Sequence, residues 1–89
     1  MPNEAKPLNR VKVNINGEDY YLRGTASVDY IKKVAQYVDR EMFNLSKDYP
    51  NLSRTRIAVL AALNITDELF KLKQEYEEFL ATFGDEAKD

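Results

Sequence analysis

Residues 53–83 read as one helix that is too long and too apolar for the rest of the chain to cover. It opens on Ile57-Ala58-Val59-Leu60-Ala61-Ala62-Leu63-Asn64-Ile65, a run that is apolar on nearly every side except at Asn64. Such a run calls for burial on several sides. A polar residue inside it needs a hydrogen-bond partner, and a single buried Asn often sets the register of helix pairing. Farther along, Ile65, Leu69, Leu72, Tyr76, Phe79 and Phe83 recur at spacings of 4-3-4-3-4, with Phe70 and Leu80 widening the stripe. Gly84 is the expected stop, and residues 85–89 read as a polar fray.

A shorter helix precedes it. Ser27 can cap its N-terminus, and Asp29 sits in the first turn, where the helix dipole favours an anion. Val28, Ile31, Ala35, Val38, Met42, Leu45 and Tyr49 alternate at spacings of three and four, which predicts a helix over 28–47 with one apolar seam. Tyr30, Val34 and Tyr37 form a second flank, Lys32, Gln36, Arg40 and Lys47 lie opposite, and Phe43 is expected under a neighbouring helix. Pro50 ends this helix, and so short a link makes the two helices antiparallel neighbours. Ser53 caps the second helix. Arg54 and Arg56 then fall in its first turn, where cations are disfavoured by a few tenths of a kcal/mol. With Lys47 they form a basic cluster at the tip of the helix pair, either tolerated in solvent or awaiting an acidic partner.

Residues 10–15 alternate, with Val11, Val13 and Ile15 on one side and Arg10, Lys12 and Asn14 on the other. Asn16-Gly17 is a strong two-residue hairpin signal. It sets Ile15 opposite Glu18, Val13 opposite Tyr20 and Val11 opposite Leu22 on the buried face. Asn14 then meets Asp19, Lys12 meets Tyr21, and Arg10 meets Arg23 on the outer face. The last pair places like charges opposite each other. Residues 1–9 are expected to be disordered, 10–74 to form a hairpin-and-helix head, and 75–89 to form a helical tail.

The fold class expected is therefore α+β: a short antiparallel hairpin, then two antiparallel helices, the second projecting into an inter-chain bundle. At ~1.5 Å per residue the helices span roughly 30 and 45 Å, so the first runs out near residue 74. Tyr76, Phe79, Leu80 and Phe83 are left over, each worth ~1.5–3 kcal/mol on burial. Asn64, Leu69, Leu72, Tyr76, Phe79, Leu80 and Phe83 are the candidate oligomerisation residues.

Composition narrows the function classes. The chain has 89 residues with no Cys and no His, so thiol chemistry, imidazole metal sites and the commonest general base are excluded. Three scattered glycines make no phosphate loop, and six tyrosines without an adjacent base read as packing residues. No catalytic residue, cofactor or metal is expected. With 13 basic and 15 acidic residues, nucleic acid is not the expected partner. No apolar run approaches the ~18 residues of a membrane span, and no signal peptide is expected. A soluble cytosolic protein that associates with itself is the reading; a helical adaptor binding another protein or nucleic acid through the basic tip is the alternative.

The ordered set of pieces resembles a known family. Ile15-Asn16-Gly17, the Arg23-Gly24 exit, Tyr30-Ile31-x-x-Val34-Ala35-x-x-Val38-Asp39 and Ala58-Val59-Leu60-Ala61-Ala62-Leu63-Asn64-Ile65-x-Asp67-Glu68-Leu69 are similar to the ZapA family of bacterial cell-division proteins. The resemblance implies a non-enzymatic protein of the division ring at midcell. It implies binding to the tubulin-like GTPase FtsZ and bundling or alignment of its protofilaments. It also implies dimers formed through the head and tetramers through the C-terminal helix. The family's filament-binding surface lies on the charged head. Carried over by charge, it would comprise Lys12, Tyr21, Arg23, Lys47, Arg54 and Arg56.

Overall fold

The computed structural model describes residues 7–87; of the expected disordered start at 1–9 and fray at 85–89, residues 1–6 and 88–89 lie outside the described ones. Two strands, β1 (Asn9–Ile15) and β2 (Glu18–Gly24), are followed by helices α1 (Val28–Asp48) and α2 (Arg54–Ala87). The α+β hairpin-and-two-helix architecture is as expected. β1 begins one residue before the alternation does: Asn9 pairs with Gly24, and its side-chain amide donates to the Ala26 carbonyl at 2.6 Å.

The hairpin register is the one that a two-residue loop dictates, from Ile15↔Glu18 to Arg10↔Arg23. Asn16 has φ 52° and Gly17 φ 85°, both in the left-handed region that a type I′ turn demands. The inner face is only half covered. Val11 and Val13 are buried under α1, Ile15 and Leu22 are half-buried, and Tyr20 and Glu18 are exposed.

Both helices start at their serines. Ser27 Oγ accepts the Tyr30 N–H, and Ser53 Oγ accepts the Arg56 N–H, each at 3.1 Å. Each serine thus satisfies one of the free donors at a helix start. Along α1 the seam buries Ile31, Ala35, Met42 and Leu45; Val38 is half-buried, while Val28 and Tyr49 at its ends are exposed. The Tyr49 N–H closes the helix on the Leu45 carbonyl at 2.8 Å, and the chain turns through Pro50.

The core has two parts. Val11 and Val13 pack on Ile31 and Ala35, and Met42 and Leu45 pack on Ile57 and Ala61. Ile15 touches both clusters and joins hairpin to helix pair.

Two expectations for α2 are corrected. Gly84 does not stop the helix, which continues to Ala87. An interior glycine costs ~1 kcal/mol relative to alanine, and no proline follows to enforce a break. The run 57–65 is covered only in part by its own chain, which contradicts no expectation: Ile57 and Ala61 are buried and Leu60 and Ile65 half-buried, while Val59, Leu63 and Asn64 are exposed. Cover by α1 also ends well before residue 74, since every residue from Thr66 to Phe83 is exposed. The helices are antiparallel, and their buried contact lies near the turn, where Met42 and Leu45 pack on Ile57 and Ala61. Farther from the turn they separate, and the Tyr37 hydroxyl reaches across the gap to the Glu68 carboxylate.

The result is extended. The radius of gyration is 18.2 Å, against about 12 Å for a compact domain of this length.

Candidate protein-interaction surfaces

Three surfaces follow from this geometry. The first is α2 beyond its cover. Leu69, Leu72, Tyr76, Phe79, Leu80 and Phe83 are between 44% and 64% exposed. The Phe79 and Phe83 rings lie 4.8 Å apart, tilted, as neighbours one turn apart on one face. The stripe runs into a groove of ≈ 430 Å³ between the diverging helices, walled by Val34, Tyr37 and Val38 and by Ile65, Leu69 and Leu72. Among the described residues eight hydrophobic side chains are buried and eighteen large ones are exposed. The stripe and the groove together make an exposed apolar patch of the kind that marks a protein-contact site. The tyrosines read as packing residues are all exposed on the single chain, and so is Phe43, which Lys47 caps with its Nζ 5.3 Å above the ring.

The second surface is the outer face of the hairpin. Lys12 pairs with Asp19 at 3.5 Å, and the Asn14 side chain donates to the same carboxylate at 2.9 Å. These two contacts, the hydrogen bond first and the lysine charge second, hold the Asp19 carboxyl below its usual range. Arg10 lies 5.9 Å from the Tyr21 ring centre, and Arg23 is exposed beside it. Lys12, Tyr21 and Arg23 therefore share one face.

The third is the helix tip, where the structure separates residues that charge alone had grouped. Arg54 is turned toward the hairpin, with about half of its side chain still exposed. Its guanidinium donates to the Asn16 carbonyl at 2.8 Å and lies 3.5 Å from the Glu18 carboxylate. Asp39 holds the same turn from α1, accepting the Asn16 N–H at 2.7 Å. Arg54 and Asp39 thus clamp the hairpin turn to both helices. Arg56 and Lys47 remain outward and exposed. Arg54 lies under the inner face of the hairpin, away from the face that carries Lys12, Tyr21 and Arg23. The clamp was not foreseen from sequence; an acid at 39 and a base at 54 carry no local signal for it.

Hydrogen bonding to Glu18 raises the Tyr20 hydroxyl, and hydrogen bonding to Glu68 raises that of Tyr37. Among the described residues no three His, Cys, Asp or Glu side chains gather as metal ligands, and no helix is long and apolar enough to cross a membrane.

A small hairpin clamped on two helices, with apolar side chains gathered along one projecting helix, defines a protein-contact module. The model for the family "Cell division protein ZapA" matches residues 11–87. A ZapA cell division protein of Geobacillus thermodenitrificans (strain NG80-2) is 43% identical over 76 residues, 85% of this chain and 84% of its own. One from Halalkalibacterium halodurans is 40% identical over 80 residues, 90% and 87% of the two chains. Among solved structures, a ZapA mutant dimer from Geobacillus stearothermophilus superposes with a TM-score of 0.71 at 36% identity, covering 94% of this chain and 98% of that one. The chain belongs to the ZapA family of cell division proteins.

Proposed function

We propose that this protein binds FtsZ and cross-links or aligns its protofilaments, promoting assembly and stability of the division ring at midcell in the cytoplasm, without catalysis. One observation carries the reading: α2 leaves an unbroken apolar stripe from Leu69 to Phe83 that its own chain does not cover. Sister subunits are the natural cover, as a dimer through the head and a tetramer through the tail. The dimeric Geobacillus stearothermophilus relative supports self-association. An oligomer that presents several weak head sites gains avidity on a polymer and bridges neighbouring filaments. The proposed filament-contacting set is Lys12, Tyr21, Arg23, Lys47, Arg54 and Arg56. Within it, Arg56 and Lys47 are the outward members at the helix tip, while Arg54 also serves the hairpin clamp.

The test is co-sedimentation with polymerised FtsZ, read beside molecular mass in solution. The wild type is expected to pellet with polymer and bundle it. Absence of pelleting by a well-folded oligomer overturns the reading.

A further inference from the structure

The groove between the diverging helices and the apolar stripe of α2 are one surface. Leu69 and Leu72 belong to both, and Ile65 continues the wall toward the turn. The spacing from Ile65 through Leu69 and Leu72 to Tyr76 has no break. A helix of a second copy that covers the stripe is therefore led into the groove, where Val34 and Tyr37 of α1 are about half exposed.

One polar contact stands in that lining. The Tyr37 hydroxyl donates to the Glu68 carboxylate, and among the described residues this is the side-chain hydrogen bond that joins α1 to α2. It raises the Tyr37 hydroxyl, so the group remains a donor at neutral pH. Glu68 has no ion pair among the described residues: Lys71 is held by Asp67 at 2.9 Å, and Lys33, which also lines the groove, pairs with no carboxylate. On the single chain Tyr37 and Glu68 are both exposed. Water serves either group there nearly as well, so the bond adds little to the fold. Covering the groove changes that. A carboxylate taken out of water without a partner costs far more than a hydrogen bond returns. Glu68 would oppose an apolar helix at this place if Tyr37 did not meet it.

We propose that Tyr37 and Glu68 are the register-setting polar pair of the contact in which α2 of a second copy covers this groove. This rests on the self-association in the proposed function and names the residues that select its alignment. At one alignment the incoming apolar side chains flank the bonded pair. Slid along by a turn, they press on the carboxylate itself. A single polar element in an apolar helix contact selects register in this way, at some expense in stability.

The test is a double-mutant cycle on the full chain. The association Kd is read from light-scattering mass over a dilution series, with urea unfolding at the most dilute point as the control. Tyr37→Phe removes only the hydroxyl. It is expected to weaken association about tenfold and to leave unfolding unchanged. Glu68→Met strands the hydroxyl but no charge, and should cost less. Tyr37→Phe combined with Glu68→Met should regain the wild-type Kd or better, because no unpaired charge remains to be covered. Glu77→Met, a like change outside the groove, should not rescue Tyr37→Phe. Wild-type association by Tyr37→Phe, independent effects of the two substitutions, or rescue by Glu77→Met overturns the pair and leaves self-association standing. So does a loss that appears equally in unfolding. A wild-type monomer at every concentration overturns both.

Discussion

The Asp39 carboxylate accepts the backbone N–H of Asn16 at 2.7 Å, so α1 grips the hairpin by its turn rather than by its strands alone. A charged acceptor at a part-buried amide is among the stronger hydrogen bonds a small fold can make. Asp39→Ala should lower stability by about 1–3 kcal/mol. Asp39→Asn, which keeps an acceptor oxygen, should recover part of that loss. Urea unfolding midpoints of the three proteins decide it, and an unshifted midpoint for the alanine variant removes Asp39 from the clamp.

Gly17 sits at φ 85°, and a side chain added there meets nothing within 4 Å. The cost of Gly17→Ala is therefore conformational, about 1 kcal/mol. Gly17→Asn should cost less, because asparagine tolerates the left-handed region. Thermal melts that rank glycine above asparagine above alanine fit this; equal melts mean that the turn has another conformation.

Phe79 is 58% exposed in the middle of the uncovered stripe. Phe79→Glu should lower the molecular mass seen by light scattering and reduce filament bundling, with circular dichroism unchanged in the head. A variant that keeps the wild-type mass at low micromolar concentration would clear the tail of any part in assembly.

Arg54 and Arg56 lie two residues apart but face different tasks. Arg54→Glu breaks the contact with the Asn16 carbonyl and places a carboxylate beside Glu18, so it should destabilise the fold. Arg56→Glu should leave unfolding unchanged while weakening pelleting with FtsZ polymers several-fold. Identical unfolding curves for the two variants contradict the clamp, and undiminished pelleting of Arg56→Glu takes that residue out of the contact surface.

The Asp19 carboxyl is held below its unfolded value, chiefly by the Asn14 hydrogen bond and then by Lys12. A carboxyl depressed in the folded state adds stability above its unfolded pKa and loses it as pH falls through the folded value. Asp19→Asn should therefore flatten the acid side of a stability-against-pH profile and leave the profile's shape near neutrality unchanged. An acid limb that keeps its wild-type slope would mean that Asp19 is not among the groups that shape it.

Much of this fold was legible locally. Asn16-Gly17 dictates the register because a two-residue loop admits only one, and Ser27 and Ser53 announce the helix starts because their hydroxyls satisfy free amides. What escaped depends on how the elements meet. In the first turn of a helix Arg54 is a misplaced cation by local rules; the hairpin turn that it binds is 38 residues away in sequence. Which side of α2 the first helix covers was one such thing: it is the side that carries Ile57 and Ala61, and it leaves Asn64 exposed on the single chain. Gly84 failed as a stop because a glycine penalty is smaller than the continuity of a helix with no proline beyond it. Of the candidate surface, the apolar stripe was readable from its period. The division of the basic tip into an Arg54 bound to the hairpin turn and an Arg56 directed to solvent was not.

The grip of Arg54 on the hairpin turn gives α2 a fixed root. Its 34 residues extend about 51 Å from that point. A rotation of roughly 5° at the root carries the far turn sideways by about 4 Å. The guanidinium is thus the pivot of a long lever. Whatever pulls on the hairpin is felt, magnified, at the distant end of the helix.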